Sequence, residues 1–377
     1  MGDPLTPDPP APYPALRVGL VGAGKISDAY LTTLAELKNL RLTAVADLDT
    51  ERARAAAAKV PGTRTATLDE LYDAEDVDLV LNLTIPAAHA TVAHAAIAAG
   101  KHVYGEKPLA TTTAAARALL DAAAEAGVRV GCAPDTVLGT GVQTARAALD
   151  AGDLGVPVAA SAFMVSSGPE RWHPDPEFYY QPGGGPLLDM GPYYLTSLVT
   201  LLGPVRRVVG MSSTPQAERF IGQGYRAGTR FPVEVATHVT GVLEHRSGAL
   251  STLVMSFDVW RSTLPRIEIH GTDGSLSLPD PNYFDGPVNL FRPGAQDWDE
   301  LPILGGYRDA SRGYGVADLA RAVSRGEPHR ADGELAYHVL DIMESLLTAA
   351  ETGTSVEISS DCARPSAVPA DTRPEEH

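Results

Sequence analysis

The stretch Leu16-Arg17-Val18-Gly19-Leu20-Val21-Gly22-Ala23-Gly24-Lys25-Ile26-Ser27 decides the fold of this chain. Its first six residues read as a buried strand, and residues 25–38 after the glycines read as a helix. Gly22 permits the tight turn between them, and Gly24 lets the backbone approach a pyrophosphate. Ser27 is small enough for close helix–strand packing. A helix N-terminus there offers unpaired N–H groups and the positive end of a dipole, with Lys25 and Ile26 completing the turn. Asp47 ends the next strand (41–47), 23 residues after Gly24. A carboxylate at that place accepts hydrogen bonds from an adenosine ribose and repels a 2′-phosphate. The cofactor expected is therefore NAD, with NADP possible because Arg52 stands close by.

Outward from this motif, strands and Ala-rich helices alternate for about 120 residues. Strands are expected at 78–84, 102–107 and 128–133, with helices at 50–58, 89–100 and 112–126. Near 134–140 the rhythm changes to longer β segments, with turns at Arg246-Ser247-Gly248 and Thr272-Asp273-Gly274. Helices are expected at 140–151, 187–202, 313–325 and 332–351. The fold class expected is α/β: a doubly wound parallel Rossmann sheet followed by an α+β domain with a large, mostly antiparallel open sheet. The domains expected are a disordered Pro-rich arm (1–15), a dinucleotide-binding domain (16–137), a substrate and oligomerisation domain (138–360) and a flexible tail (361–377).

Composition narrows the function classes. Of 377 residues, 30 are Lys or Arg and 47 are Asp or Glu, a formal charge of −17. That balance argues against nucleic-acid or anionic-membrane binding, which needs a basic face. No apolar run approaches a membrane span, and the N-terminus lacks the basic and apolar regions of a signal peptide. Cys132 and Cys362 form neither a disulfide framework nor a metal spacing. A cytoplasmic protein without a metal is expected. The five lysines all lie at or before Lys107.

Several residues carry chemistry. Thr84-Ile85-Pro86 and His89 leave the strand at 78–84, on the side where ligands of doubly wound sheets lie. His89 alone reads equally well as a solvent-facing cap of its own helix. Glu106-Lys107-Pro108 closes the strand at 102–107, and Lys107-Pro108 is a candidate cis peptide in a tight turn. A lysine over this crevice can hydrogen-bond a substrate hydroxyl, steady its alkoxide, or relay a proton if its pKa is lowered. The bland alternative is a surface lysine paired with Glu106. Asp189 is costly on the apolar helix at 187–202 unless paired or functional. Tyr193 lies four residues on, sharing its face on a regular helix, although Pro192 sits between them. Trp172 and His173 suit sugar binding, since aromatic faces stack on C–H groups while donors meet hydroxyls. Asp135, Tyr194 and Arg312 are further substrate-binding candidates.

In this order and spacing, GAGKIS, Asp47, NLTIPAAH, GEKP and GGGPLLDMGPYYL resemble the Gfo/Idh/MocA oxidoreductase family over residues 16–360. The resemblance implies NAD(P)-linked oxidation or reduction of sugars, cyclitols and related alcohols, and a homo-oligomer (dimer or tetramer) built through the open sheet. By position, Lys107 matches the family's EKP lysine and Asp189 the Asp of its D-x-G-x-H motif. The catalytic His of that motif is Tyr193 here. A phenol, with an ordinary pKa near ~10, needs Lys107 or the cofactor's positive ring to lower it. Lys107, Asp189 and Tyr193 are the catalytic set expected for hydride transfer to or from a sugar, anhydrosugar or cyclitol carbon. Two alternatives remain: a redox-neutral enzyme with retained NAD, and a non-catalytic NAD-responsive regulator.

Overall fold

The computed structural model describes residues 14–375; the Pro-rich arm, apart from Pro14 and Ala15, lies outside the described residues. Six parallel strands form the first sheet: β1 (Leu16–Val21), β2 (Leu40–Ala46), β3 (Arg64–Thr65), β4 (Leu79–Asn82), β5 (His102–Gly105) and β6 (Val130–Cys132). Their order is β3-β2-β1-β4-β5-β6, which reverses direction between β1 and β4. Helices α1 (Ser27–Glu36), α2 (Thr50–Ala57), α3 (Leu68–Tyr72), α4 (Pro86–Ala98) and α5 (Thr113–Ala126) connect them. β3 and α3 were not anticipated. Their local signal is short, but Thr67 and Glu70 do form a reciprocal capping box at the α3 N-terminus.

After α6 (Thr140–Asp150) come β7 (Pro157–Val165), α7 (Pro186–Leu202) and β8 (Val205–Ser213). A two-stranded ribbon, β9 (Glu218–Phe220) with β10 (Arg230–Pro232), follows. The chain continues through β11 (His238–His245), β12 (Leu250–Ser256), β13 (Ile267–Gly271), β14 (Ser275–Leu278), β15 (Asn289–Phe291) and β16 (Asp299–Glu300). It ends in α8 (Tyr314–Arg325), α9 (Gly333–Thr352) and β17 (Val356–Glu357). The second sheet has the order β16-β15-β14-β13-β7-β12-β11-β8-β17. Only its β7–β12 pairing is parallel. Alternating residues of β7, β11 and β12 are buried, so one face of each strand enters the core. The apolar run of α7 packs into that core with α9.

Two features depart from the domain division expected. Helix α8 returns to the first domain: Val316, Ala317, Leu319 and Ala320 share a core with Val18 and Leu20 of β1. The tail expected to be flexible instead packs as far as residue 375. Val368 is buried and its N–H donates to Gln143 Oε1, while the Arg330 guanidinium donates to the Ala367 carbonyl. At the far end, Asn39 donates to the Pro374 carbonyl. Buried arginine and glutamine side chains need acceptors and donors, and the tail backbone supplies them.

Candidate active site

The turn after β1 is tight and brings its backbone against the loop after β4. Gly22 has φ +97°, and a Cβ there would lie 2.8 Å from the Leu83 carbonyl carbon and oxygen and from Thr84 N. Ser27 is buried, and its hydroxyl donates to the Gly24 carbonyl at 2.7 Å. Among the described residues no side chain caps the α1 N-terminus, with exposed Ile26 standing before it. Beside it a cleft of about 410 Å³ is lined by Gly24, Lys25, Ser27, Arg52 and Lys59, among others. Asp47 accepts from Ala23 N–H at 2.7 Å through one oxygen and from Asp49 N–H at 2.8 Å through the other. The carboxylate thus holds the turn, and its remaining lone pairs can accept further hydrogen bonds. These residues fit a dinucleotide: a close-approach backbone, an open helix end and an acidic ribose anchor.

The loops after β4 and β5 complete the crevice. Thr84 donates from its hydroxyl to Asn82 Oδ1 at 2.6 Å, and Pro86 opens α4 at its first turn. His89 does not face a ligand. It is buried, with Nδ1 2.6 Å from the Pro108 carbonyl oxygen and Nε2 2.9 Å from that of Thr84. Its helix turns it inward, so it ties the two loops together. Lys107-Pro108 is cis, as anticipated. Glu106 accepts from the Tyr30 hydroxyl of α1 at 2.8 Å and from the Lys107 backbone N–H at 3.1 Å, while the Lys107 ammonium goes to Asp189 instead.

Lys107 reaches across to the second domain. Its Nζ donates to the Asp189 carbonyl at 2.7 Å and to Asp189 Oδ1 at 2.9 Å. It also lies 5.4 Å from the Tyr193 ring centroid. Helix α7 runs unbroken through Pro192, so Asp189 and Tyr193 do share the face toward Lys107. Burial disfavours the Lys107 ammonium, but Asp189 and the Tyr193 phenol hold its pKa above the ordinary lysine value. In this arrangement Asp189 favours the charged form, so Lys107 stands as a cation beside the Tyr193 ring. Burial raises the Tyr193 phenol pKa, and the opposing pull of Lys107 and Arg312 does not restore it. Of the two groups expected to lower the phenol, Lys107 and the cofactor's positive ring, Lys107 does pull it down, and burial outweighs that pull.

The remaining candidates divide. Arg312 joins the cluster: its Nη2 donates to the Tyr193 hydroxyl at 3.2 Å and to Asn282 Oδ1 at 2.9 Å. Asp135 is 0% exposed and cannot touch a substrate. Its Oδ2 accepts from Gly313 N–H at 2.8 Å and Gly315 N–H at 3.0 Å, satisfying the start of α8. Tyr194 is also fully buried, a step further around α7, where Asp280 and Arg266 are its charged neighbours. Trp172 and His173 stand in an aromatic arm with Phe178 and Tyr179. Tyr179 links that arm to the cluster, because Asp189, Lys107 and Tyr193 all act on its phenol, which burial pushes up to about 12. His173 Nδ1 accepts from Asp175 N–H, so in the neutral ring Nε2 carries the proton.

Sequence reasoning missed Asn282 and Phe284, the latter lying 6.0 Å from the Arg312 guanidinium. It also missed the group that braces the arm. Buried Arg219 of β9 pairs with Glu170 at 2.9 Å and with Asp258, and Glu170 accepts from the Tyr180 hydroxyl. Arg219 is a lone arginine on a short polar strand, and nothing local flags it.

Two family profiles match the chain: an oxidoreductase-family, NAD-binding Rossmann fold over residues 16–133, and the GFO/IDH/MocA C-terminal domain over residues 142–277. The chain belongs to the Gfo/Idh/MocA oxidoreductase family. This Gfo/Idh/MocA member is accordingly an NAD(P)-dependent oxidoreductase with an NAD-binding Rossmann domain. It is 36% identical over 317 residues to dTDP-3,4-didehydro-2,6-dideoxy-alpha-D-glucose 3-reductase of Streptomyces violaceoruber, covering 82% of this chain and 86% of that protein. It is 30% identical to 1,5-anhydro-D-fructose reductase of Ensifer adhaerens, over 69% of this chain and 74% of the other. The Gfo/Idh/MocA fold is shared with an NAD binding oxidoreductase from Klebsiella pneumoniae. That structure has a TM-score of 0.78 at 24% identity, covering 92% of this chain and 100% of that one.

Proposed function

We propose that this oxidoreductase transfers a hydride between nicotinamide C4 and a secondary alcohol carbon of a sugar, anhydrosugar or cyclitol. The observation that carries the reading is the meeting of Lys107, Asp189 and Tyr193 at the carboxyl end of β5, on the crevice that the Gly22 turn and Thr84 also border. When bound, the nicotinamide supplies the hydride acceptor or donor. Tyr193 takes the hydroxyl proton in oxidation and returns it in reduction. Lys107, held as a cation, hydrogen-bonds the same oxygen and steadies the charge that develops on it. Asp189 fixes the ammonium and orients a neighbouring hydroxyl. Trp172 and Tyr179 offer ring faces to sugar C–H groups, and His173 offers its Nε2 proton to a hydroxyl. The named reactions of the relatives, both reductions of sugar ketones or anhydroketoses, support this class of substrate.

The test is a screen of sugars, anhydrosugars and inositols with NAD and NADP in parallel, followed by the near-ultraviolet absorbance of the reduced nicotinamide. Reduction of NAD by one structural group of polyols is expected. A protein that binds NADH yet turns over no member of the panel would sink the reading.

A further inference from the structure

We propose that Arg312 is a positioning residue that sets the proton affinity of the Tyr193 phenol, with Asp135 holding the arginine and moderating its charge. The inference rests on the reading of Tyr193 as the acid/base. Arg312 Nη2 donates to the Tyr193 hydroxyl at 3.2 Å, and the guanidinium carbon lies 5.2 Å from the ring centroid. Lys107 approaches the same ring at 5.4 Å from another element. The phenol is therefore shared between two cations delivered by separate segments of the chain, the loop after β5 and the segment before α8. A hydroxyl that accepts from arginine must direct its single proton elsewhere, and the proton and the second lone pair are left for a substrate oxygen. Arginine suits this place because it does not titrate, so it biases the phenol without competing for the proton.

The Arg312 guanidinium is itself fixed on several sides. Its Nη2 also donates to Asn282 Oδ1 at 2.9 Å, and Phe284 lies on its face. Its Nη1 stands 3.9 Å from Asp135 Oδ1, and both atoms are buried without a hydrogen-bond partner among the described residues. The attraction there is Coulombic, and it is strong because Asp135 is fully buried. Asp135 Oδ2 meanwhile takes the N–H groups of Gly313 and Gly315, which follow the arginine in the chain. Gly313 has φ +108°, a conformation that L side chains rarely adopt, so the segment is shaped to present Arg312. The other charged or titratable groups acting on the phenol are Glu106 beside Lys107, Asp189 on its own helix, and Tyr179 from the arm. Glu106 and Asp189 oppose the two cations, which leaves the balance sensitive to removal of either.

The signs are distinct. Losing Arg312 removes a cation and moves the Tyr193 titration to higher pH. Losing the Asp135 charge leaves Arg312 less compensated and moves it lower. Asp135→Asn is a clean probe, because one amide oxygen can take both N–H groups that Oδ2 takes now. A change of structure alone would lower activity in both variants and move neither titration in opposite senses.

The experiment is a pH titration of the NAD-loaded protein with ¹³Cζ-labelled tyrosine, the Tyr193 resonance being assigned by its loss in Tyr193→Phe. The midpoint is expected to rise by about one unit in Arg312→Gln. It is expected to stay near wild type in Arg312→Lys and to fall in Asp135→Asn. With a substrate from the polyol screen, the limb of the kcat profile governed by Tyr193 should move with those midpoints. An unmoved midpoint in Arg312→Gln would overturn the inference, whether or not a substrate is known. A moved midpoint with a kcat limb that stays in place would instead fault Tyr193 as the acid/base and leave the Arg312 coupling standing.

Discussion

Lys107 Nζ and Asp189 are joined twice, through the backbone carbonyl at 2.7 Å and through Oδ1 at 2.9 Å. The two residues belong to different domains, so the contact aligns the cofactor-side loop with the first turn of α7. Lys107→Met should reduce kcat by about 10²-fold or more while leaving NADH affinity nearly unchanged. Steady-state kinetics beside NADH fluorescence titration separates the two. Loss of NADH binding alone would show that the lysine serves the cofactor only.

Asp47 uses both carboxylate oxygens on backbone N–H groups, those of Ala23 and Asp49. In Asp47→Asn the amide nitrogen must face one of those donors, leaving a mismatched contact at the cofactor turn. The expected result is a loss of NAD affinity of roughly tenfold, with a smaller change for NADP because the repelling charge is gone. Isothermal titration with both dinucleotides checks this. Equal losses for the two would mean that Asp47 acts on the turn and not on the ribose.

The ion group Glu170, Arg219 and Asp258 is almost fully buried and braces the aromatic arm. Removing one member leaves an uncompensated charge in the interior. Arg219→Met should therefore cost about 3–5 kcal/mol of stability, read by chemical denaturation. The milder Glu170→Gln should raise KM more than it lowers kcat if, as proposed above, the arm meets the substrate away from the reacting carbon. A variant with wild-type stability and KM would show that the group does not brace the arm.

Stability should fall as the medium is acidified. The His338 ring accepts the Val205 N–H at 2.9 Å through Nε2, so its folded form is neutral. Burial drives its pKa down to about 4, and that of His329 likewise to about 4. Unfolded imidazoles titrate near ~6.5, so between these values the unfolded chain binds more protons and stability rises with pH. The stabilisation is whole above about 6.5 and is lost as pH falls toward about 4. Burial raises Asp332 to about 6, which opposes the trend over the lower part of the window. Burial also lowers His102 and His245 and raises Asp135, so four histidines stand against two carboxyls, and the thermal midpoint should drop between about pH 7 and about pH 5. His338→Gln, which can still accept the Val205 N–H, should flatten that slope. An unchanged slope would acquit His338.

The reach of the sequence follows from the range of each interaction. The Gly22 turn, Asp47 and the Glu106-Lys107-Pro108 loop are local arrangements, and their residue types dictate their conformations. The face shared by Asp189 and Tyr193 was legible from helical spacing, even with Pro192 inside the turn. What the sequence concealed was direction and distance. Asp135 lies beyond β6 among candidate ligands, yet its carboxylate points inward to N–H groups about 180 residues away. Asn282 sits in a loop whose prolines mark a turn and nothing more. His89 reads as a solvent cap or a cofactor contact, and only the packed structure shows it binding the Thr84 and Pro108 carbonyls. The tail looks polar and loose, because its partners, Gln143 and Arg330, are chosen by tertiary packing.

The return of α8 to the first domain bears on how the protein is made. Val18 and Leu20 leave the ribosome early, whereas Val316 and Leu319, which seal the same core, follow roughly 300 residues later. The dinucleotide half is synthesised first and finished last. During translation its unsealed apolar surface must wait, shielded by chaperones or by transient collapse, until the carboxyl end arrives. A nascent chain stopped short of α8 is therefore not a smaller working half but an exposed one.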